Sequence, residues 1–271
     1  MSVLSTAHSH CTYCDGKNTP EEMLQAALNL GFVSYGFSSH SHLPYRNGYA
    51  MKMQREANYR NEVSALKKQY DGKIEVLLGI ELDSDSYAPD FKYDFIISSV
   101  HQLHINGKVF AVDQSRAMFE ECIKEFGGIK NVINTFYDLT VKAAKRDNVD
   151  IIGHLDLITK FNEKGDLFDP NDEQYLNIVK NTVDEIVKAK PNVIFEVNTG
   201  AMARGYRSQP YPALPILKHI ANSGAKVMIN SDTHNVDTID FGYEQAINHC
   251  KAAGIKSVMR IRKNGFEEIE I

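Results

Sequence analysis

Two histidines, His8 and His10, lie at the end of the first apolar run of the chain. In a β-strand, side chains at positions i and i+2 point to the same side, so both imidazoles face one space. Pairs with the same spacing follow two later apolar runs: His40 with His42, and Asp232 with His234. Imidazole and carboxylate groups are common ligands of divalent metals. Three such pairs therefore predict a metal centre assembled from several strand ends.

Single residues of ligand type end other apolar runs in the same way: Glu81, His101 and His154. Any one histidine near a strand end is more often hydrogen-bonded or solvated than metal-bound. His219 and His249, which lie in helical patterns, illustrate that background, and His104 beside a turn is ambiguous. The strand-end set differs because its members share both residue type and location.

The elements that must position these residues alternate along the chain. Apolar runs predict strands at 3–7, 33–38, 75–80, 95–100, 150–153, 193–197 and 226–229, with a further one at 257–261. Helical patterns lie between them at 20–30, 51–69, 115–126, 130–146, 171–189, 213–223 and 240–253. Thr19, Pro20 and Glu22 form a capping box with proline at the first helical position. Asn106 and Gly107 indicate a hairpin turn.

Alternation of strands and helices predicts an α/β protein with a parallel sheet, either doubly wound or closed into a barrel. In a barrel, the carboxyl ends of all strands surround one mouth, so the ligand-type residues would converge there. In an open sheet, strands far from the switch point would leave theirs isolated. We therefore predict one barrel domain over residues 1–271, with about seven strands and the metal site at their C-terminal ends.

The composition fits an ordinary cytoplasmic protein. The 271 residues are 43% hydrophobic and 24% charged, with a net charge of −5, so there is no basic excess to attract nucleic acid. The sequence contains neither an apolar stretch of membrane-spanning length nor the regions of a signal peptide in residues 1–20. We expect no nucleic-acid or membrane partner.

The cysteines are Cys11, Cys14, Cys122 and Cys250. They are too few and scattered for a disulfide framework, which indicates a reducing compartment. Cys11 and Cys14 form a C-x-x-C spacing, but the sequence offers neither a second such pair for structural zinc nor a following helix for redox chemistry. We interpret them as loop cysteines.

Six segments, in order along the chain, resemble the motifs of the polymerase-and-histidinol-phosphatase (PHP) family. They are His8–His10 with Asp15, then 39–42, 79–81, 99–101, 153–156 and 230–234. Within the family, the chain is most similar to the monofunctional branch of bacterial histidine biosynthesis, on the grounds of its length, His42 and the Gly-His-Leu-Asp segment at 153–156. The resemblance implies a distorted seven-stranded (β/α) barrel.

The resemblance also implies three divalent metal ions. One would be held by His8, His10, Glu81 and Asp232, a second by Glu81, His101 and His154, and a third by Asp15, His40 and His234. Zn²⁺ is the expected metal, while Mn²⁺ and Fe²⁺ remain open, because imidazole and carboxylate ligands suit all three. The lack of thiolates in the set favours a catalytic over a structural zinc site.

The activity implied is hydrolysis of a small phosphate ester, L-histidinol phosphate, to L-histidinol and phosphate. Divalent ions roughly 3.5–4 Å apart lower the pKa of a bridging water and neutralise phosphate oxygens. We therefore expect direct in-line attack by a metal-bridging hydroxide, with no phosphorylated enzyme.

Further residues are candidates for the rest of the reaction. His42 lacks a place among the implied ligands, so it is a candidate general acid for the leaving alkoxide, or else a residue that orients the substrate. Candidate phosphate-binding residues in strand-end loops are Lys160, Arg204 and Arg207, with solvated surface charge as the alternative. Asp113 and Glu196 are candidates for facing a cationic leaving group.

Three other functions remain open at this point. One is a PHP-type phosphoesterase acting on nucleotides or oligonucleotides in the manner of an exonuclease. Another is an amidohydrolase-like metal hydrolase, although such enzymes commonly carry a metal-bridging modified lysine, and here no lysine ends a strand suitably. The last is a non-enzymatic metal-binding module, which would not need mixed ligands around an open mouth.

Overall fold

Eleven strands and eight helices alternate along residues 4–45 and 47–271, the part of the chain that this computed structural model describes. The strands are β1 (Ser5–Thr6), β2 (Ser34–Phe37), β3 (Glu75–Asp83), β4 (Phe95–Ser99), β5 (Gln102–Ile105), β6 (Lys108–Ala111), β7 (Ile151–Ile152), β8 (Ile194–Asn198), β9 (Lys226–Asn230), β10 (Ser257–Arg262) and β11 (Gly265–Glu270). The helices are α1 (Pro20–Asn29), α2 (Met53–Gln69), α3 (Arg116–Glu125), α4 (Ile129–Ala144), α5 (Glu173–Ala189), α6 (Gly200–Ala203), α7 (Leu214–Asn222) and α8 (Tyr243–Ala252).

Nine of these strands form one sheet in the order β1-β2-β3-β4-β7-β8-β9-β10-β11. All neighbouring pairs from β1 to β10 are parallel, and β11 runs antiparallel to β10. The sheet curls until its two sides meet. Ser9, just after β1, forms a parallel bridge with Thr233, just after β9, and the Ile261 amide donates to Ser5 Oγ over 3.3 Å. The carboxyl ends of the parallel strands therefore surround a common space.

The core has two parts, one on each side of the curled sheet. The larger part packs helices such as α4 and α5 against the sheet. The smaller part draws its buried residues from the sheet strands and the β1 end, with Phe95 among them. A Cβ atom on Gly36 or Gly79 would come within 2.8 Å or 2.2 Å of the Phe95 ring, so only glycine allows that ring to fill the interior.

The predicted elements agree well with the observed ones. Every predicted strand and helix is present, and each boundary agrees to within about three residues, as such readings allow. Val3, the first residue of the predicted strand 3–7, lies outside the described residues. The Thr19 capping box of α1 is present, and Asn106 and Gly107 form the turn between β5 and β6. The terminal strand β11 was not predicted.

Among the helices of the described residues, none combines the length and the apolar character needed to cross a membrane.

Candidate metal centre

The strand ends bring nine side chains of ligand type together around the mouth of the curled sheet. The donor atoms fall into four overlapping groups, each compact enough to hold one ion. The members are His8, His10, Asp15, His40, Glu81, His101, His154, Asp232 and His234. All nine residues predicted as metal ligands are therefore neighbours in the fold.

The innermost donor atoms, from His8, His10, Glu81 and Asp232, form one compact cluster. His8 Nε2 lies 3.3 Å from Glu81 Oε2 and 3.6 Å from Asp232 Oδ1. His10 Nε2 lies 3.2 Å from Asp232 Oδ1 and 3.6 Å from Glu81 Oε2. Ligand atoms about 2.1 Å from a tetrahedral metal are separated from one another by about 3.4 Å, which matches these four distances. Within the described residues, His8 Nε2 and His10 Nε2 are buried without a hydrogen-bond partner, so this cluster fits a cation.

Glu81 contacts two groups of ligand-type residues, because its second oxygen points to His101 and His154. Its Oε1 atom lies 3.2 Å from His154 Nε2 and 3.7 Å from His101 Nε2. The hydroxyl of Ser99 donates to the same oxygen over 2.6 Å. One carboxylate with its two oxygens in adjacent ligand groups has the arrangement needed to bridge two ions.

A third group lies towards the mouth. Asp15 Oδ1 is 3.4 Å from His234 Nε2 and 3.8 Å from His40 Nε2. His40 Nδ1 is in turn 2.7 Å from Glu81 Oε2, so His40 links this group to the inner ones. The Asp15 side chain is 31% exposed, whereas the Glu81 side chain is fully buried.

Burial and neighbouring charges shift the pKa of several of these side chains. Burial, together with the neighbouring His234 and His40, lowers the pKa of His10 to about 3, which keeps its lone pair available at neutral pH. Burial works against the charge of Glu81, but His40, His8 and His101 outweigh it and hold its pKa well below the usual range. For Asp232, the same burial penalty is overcome mainly by Arg204 and His8, which depress its pKa. The carboxylates are therefore ionised and ready to bind cations.

Asp232 is held in an unusual backbone conformation, with φ of 48°. Aspartate tolerates this left-handed region better than most residues, and outliers of this kind cluster at functional sites. Arg204 Nη2 donates to Asp232 Oδ2 over 3.0 Å. A Cβ atom on Gly200 would lie 2.7 Å from that same oxygen, so the glycine permits the close approach.

A cavity of about 520 Å³ opens above the ligands, a volume typical of small-molecule sites. Its wall includes His40, His101, His154 and His234 together with Tyr49, Asp113, Lys160 and Arg204. The clustered side chains therefore face a space large enough for a small molecule.

The sequence pattern of the PHP domain matches residues 6–200 of the chain. The chain belongs to the PHP domain family. The matched segment contains seven of the nine clustered residues, and the remaining two, Asp232 and His234, follow β9.

Several known proteins resemble this PHP protein over nearly its whole length. The probable histidinol-phosphatase of Deinococcus radiodurans is 28% identical over 269 residues, which cover 95% of this chain and 96% of the relative. The histidinol-phosphatase of Bacillus subtilis is 25% identical over 277 residues, covering 90% of this chain and 98% of the relative.

A solved structure shares the fold of this PHP protein. The crystal structure of histidinol phosphate phosphatase from Lactococcus lactis, in complex with zinc, L-histidinol and phosphate, matches with a TM-score of 0.68. The match is 17% identical and covers 97% of this chain and 98% of that chain.

The three candidate phosphate-binding residues of this PHP protein differ in whether they line the cavity. Lys160 and Arg204 line the cavity, with Lys160 Nζ donating to the Asp113 carbonyl over 2.7 Å and to its carboxylate over 3.2 Å. Arg207 is not among the lining residues. It donates to the Thr159 carbonyl over 2.9 Å and pairs with Glu163 at 3.1 Å, so it fixes the loop instead of facing a phosphate.

His42, the candidate general acid, is not among the residues that line this cavity. It borders a neighbouring recess with Tyr13 and Cys14, and its ring centroid lies 6.5 Å from that of Tyr87. In the other two pairs the intervening residues, Ser9 and Thr233, form a parallel bridge with each other, whereas the bridge near His42 is at His40 itself. His40 alone of this pair joins the ligand cluster.

The two acidic residues that were candidates for facing a cationic leaving group also differ in their position. Asp113 lines the cavity as predicted. Glu196 does not lie at the mouth, because its side chain is fully buried beneath the ligands, with Oε1 2.7 Å from His8 Nδ1. Asp83, which was not predicted, holds His101 Nδ1 at 2.9 Å. Its signal in the sequence was the i+2 spacing from Glu81, which places both carboxylates on the same side of β3.

The two nearby cysteines agree with their interpretation as loop residues. Cys11 and Cys14 are free thiols. Cys14 Sγ lies 3.5 Å from His10 Nδ1, whereas Nε2 of that ring faces Glu81 and Asp232.

Proposed function

We propose that this PHP protein hydrolyses L-histidinol phosphate to L-histidinol and phosphate. The observation that carries the proposal is the convergence of nine metal-ligand side chains below a cavity of about 520 Å³. The names of the curated relatives, and of the Lactococcus lactis structure with its bound zinc, L-histidinol and phosphate, support this choice of substrate. Histidine biosynthesis is the corresponding pathway.

The metal part of the proposal assigns three ions to the nine residues. The inner group of His8, His10, Glu81 and Asp232 would hold one, Glu81 with His101 and His154 a second, and Asp15 with His40 and His234 a third. Zinc is the preferred metal, supported by the zinc of the Lactococcus lactis structure. Divalent cations supply charge neutralisation and water activation for phosphate-ester hydrolysis.

The residues of the cavity wall would bind the rest of the substrate. Arg204 is held beside the ligands by its contact with Asp232, so its guanidinium would donate to the phosphate oxygens in fork geometry. Lys160 adds a second positive charge to the wall. Asp113, held by Lys160, would attract the ammonium group of the leaving alcohol.

The fold and setting are proposed on the same basis. We assign β1, β2, β3, β4, β7, β8 and β9 to the seven-stranded barrel of the PHP fold, within one domain spanning residues 1–271. A cytoplasmic location is supported by the four free thiols, since disulfides are rare in reducing compartments.

The proposal is tested with a panel of substrates on one purified sample whose metal content is measured. L-histidinol phosphate, p-nitrophenyl phosphate, a nucleoside monophosphate, a short oligonucleotide and a cyclic amide would be compared by kcat/KM. We expect L-histidinol phosphate to be the best substrate, with activity lost on chelation and restored by Zn²⁺ or Mn²⁺. Preference for the oligonucleotide or for the amide would replace the proposal with exonuclease-like or amidohydrolase-like chemistry.

A further inference from the structure

Among the seven strands assigned to the barrel, β8 alone contributes no residue to the metal-ligand cluster. Its carboxyl end carries Glu196 instead, a residue that is only 1% exposed. An ionised carboxylate buried away from water is costly unless several donors satisfy it. The question is therefore which groups hold this carboxylate and what it does for them.

Four donors converge on the two oxygens of Glu196. Oε1 accepts from Asn230 Nδ2 over 3.0 Å and lies 2.7 Å from His8 Nδ1. Oε2 accepts from the His154 backbone amide over 2.7 Å and from Asn198 Nδ2 over 2.9 Å. One carboxylate thus joins the ends of β1, β7, β8 and β9 just below the ligand cluster.

The contact with His8 determines which nitrogen of that ring faces the cluster. A carboxylate accepts hydrogen bonds, so the proton of a neutral His8 ring lies on Nδ1. The lone pair then lies on Nε2, the atom 3.3 Å from Glu81 Oε2 and without a hydrogen-bond partner in the described residues. Metal-bound histidines are commonly oriented in this way by a carboxylate on their other nitrogen.

The contact with His154 fixes a second ligand through its backbone. The His154 amide follows Gly153, where a Cβ atom would lie 2.5 Å from Ser99 Oγ and 3.6 Å from Glu196 Oε2. This tight approach lets the chain leave β7 with His154 Nε2 3.2 Å from Glu81 Oε1. Glu196 therefore touches one ligand in each of the two groups that Glu81 would bridge.

We infer that Glu196 is a positioning residue of the metal centre, which fixes the tautomer of His8 so that Nε2 faces the bound ions, and which holds the backbone that carries His154. The inference concerns metal binding and does not depend on the proposed substrate. It assigns to the otherwise ligand-free β8 the task of orienting the inner ligands.

The test measures metal affinity without any substrate. Glu196→Gln preserves the shape of the side chain but places an amide NH₂ among four donors, so at least one donor loses its acceptor. We expect chelator competition with Zn²⁺ to show a loss of affinity of roughly 10–100-fold for the inner ions, as for other residues that orient metal ligands. The visible spectrum of the Co²⁺-loaded variant should also change, because the inner coordination is disturbed.

Two matched variants set the scale. Asp83→Asn alters the carboxylate that accepts from a single ligand of the cluster, His101, so it should weaken the binding of one inner ion. Glu185→Gln changes an exposed glutamate that pairs with Lys145 on the surface, so it should leave ion affinity unchanged.

The inference is overturned if Glu196→Gln binds Zn²⁺ with wild-type affinity while unfolding at a lower temperature, because that pattern describes a purely structural role. If Glu196→Gln does not fold, Glu196→Asp decides, since its shorter side chain cannot reach both His8 and the His154 amide. Affinity reduced tenfold or more supports the inference, and wild-type affinity in the folded variant contradicts it. Activity on L-histidinol phosphate plays no part in this result, so failure here is separable from failure of the proposed function.

Discussion

The inner and outer parts of the metal-ligand cluster differ in how they are held. In the inner part, His8 and His101 each have a buried carboxylate, Glu196 or Asp83, on the ring nitrogen away from the centre. In the outer part, His234 Nδ1 instead lies 3.0 Å from the backbone carbonyl of Asp232 and 3.2 Å from Arg204. The inner side chains are buried, whereas those of Asp15 and His234 are 31% and 20% exposed.

This difference indicates that the inner and outer residues of the cluster have different roles. Ligands fixed by buried carboxylates lose little freedom on binding an ion, so the inner positions suit firmly held metals. Ligands at the mouth are reached by water and by entering molecules, so the outer position suits an ion that meets the phosphate. The predictions that follow test this distinction.

The largest effect is expected from Glu81→Gln, which weakens both inner groups together. Each bound metal contributes several kcal/mol of charge stabilisation, so we expect kcat/KM to fall by about 10³-fold or more. Asp15→Asn, in the outer part, should lose one ion and retain the inner pair. Elemental analysis of both variants is the measurement, and retention of a full metal complement by Glu81→Gln would contradict the bridging role.

A smaller effect is expected from Arg204→Ala, which removes the guanidinium beside the outer part. Hydrogen bonds to charged groups contribute roughly 1.5–3 kcal/mol, so KM for the phosphate ester should rise about 10–100-fold. Arg207→Ala is the matched control, because Arg207 holds the loop and does not line the cavity. It should lower thermal stability and leave KM unchanged; an equal rise in KM for both would remove the distinction between the two arginines.

The stability of the metal-free protein should depend on pH because of the inner residue His101. Burial opposes the charge on His101, but Glu81 and Asp83 outweigh it and raise its pKa from 6.5 to about 9. A raised pKa contributes stability that is full below pH 6.5 and lost as pH rises to about 9. Over the same window, Zn²⁺ affinity should rise, because the metal competes with the proton.

Urea unfolding of the chelated protein between these pH values, with His101→Asn for comparison, measures the contribution of this group. A contribution of His101 that increases with pH would show that the sign is wrong.

The smallest effect is expected from His42→Asn. His42 lies outside the cavity, so its replacement should change kcat/KM by about twofold or less, as for substitutions away from a site. L-histidinol phosphate and p-nitrophenyl phosphate should respond equally. A much larger loss with the alkyl ester, whose leaving group needs a proton, would restore His42 as the general acid.

The strands and the clustering of the ligand-type residues could be predicted because two signals coincided. Apolar runs located the strands, and residues such as His8, Glu81 and His154 stood at or near their carboxyl ends, where a curled parallel sheet brings them together. The spacing rule failed for His42: Ser9 and Thr233, between the members of the other two pairs, bridge each other, whereas the bridge near His42 is at His40 itself.

The role of a residue that depends on its neighbours in the fold was harder to predict from the sequence. Glu196 and Arg207 were candidates for facing a substrate because of their residue type and their position near strand ends. Only the packing of distant segments shows that both are held by internal partners. The strand β11 was not predicted because it alternates imperfectly and carries several exposed charged residues. Such features follow from tertiary contacts that one sequence does not display.

The hydrogen bond from the Ala7 amide to Asn230 Oδ1, 2.7 Å long, joins residues 223 positions apart. Contacts of such high sequence separation form late, because a long loop must close first. During synthesis from the N-terminus, His8 and His10 would leave the ribosome long before Asp232 and His234 exist. A nascent chain therefore carries both histidines before Asp232 is made, and the complete set of clustered side chains arises only when the sheet closes upon itself.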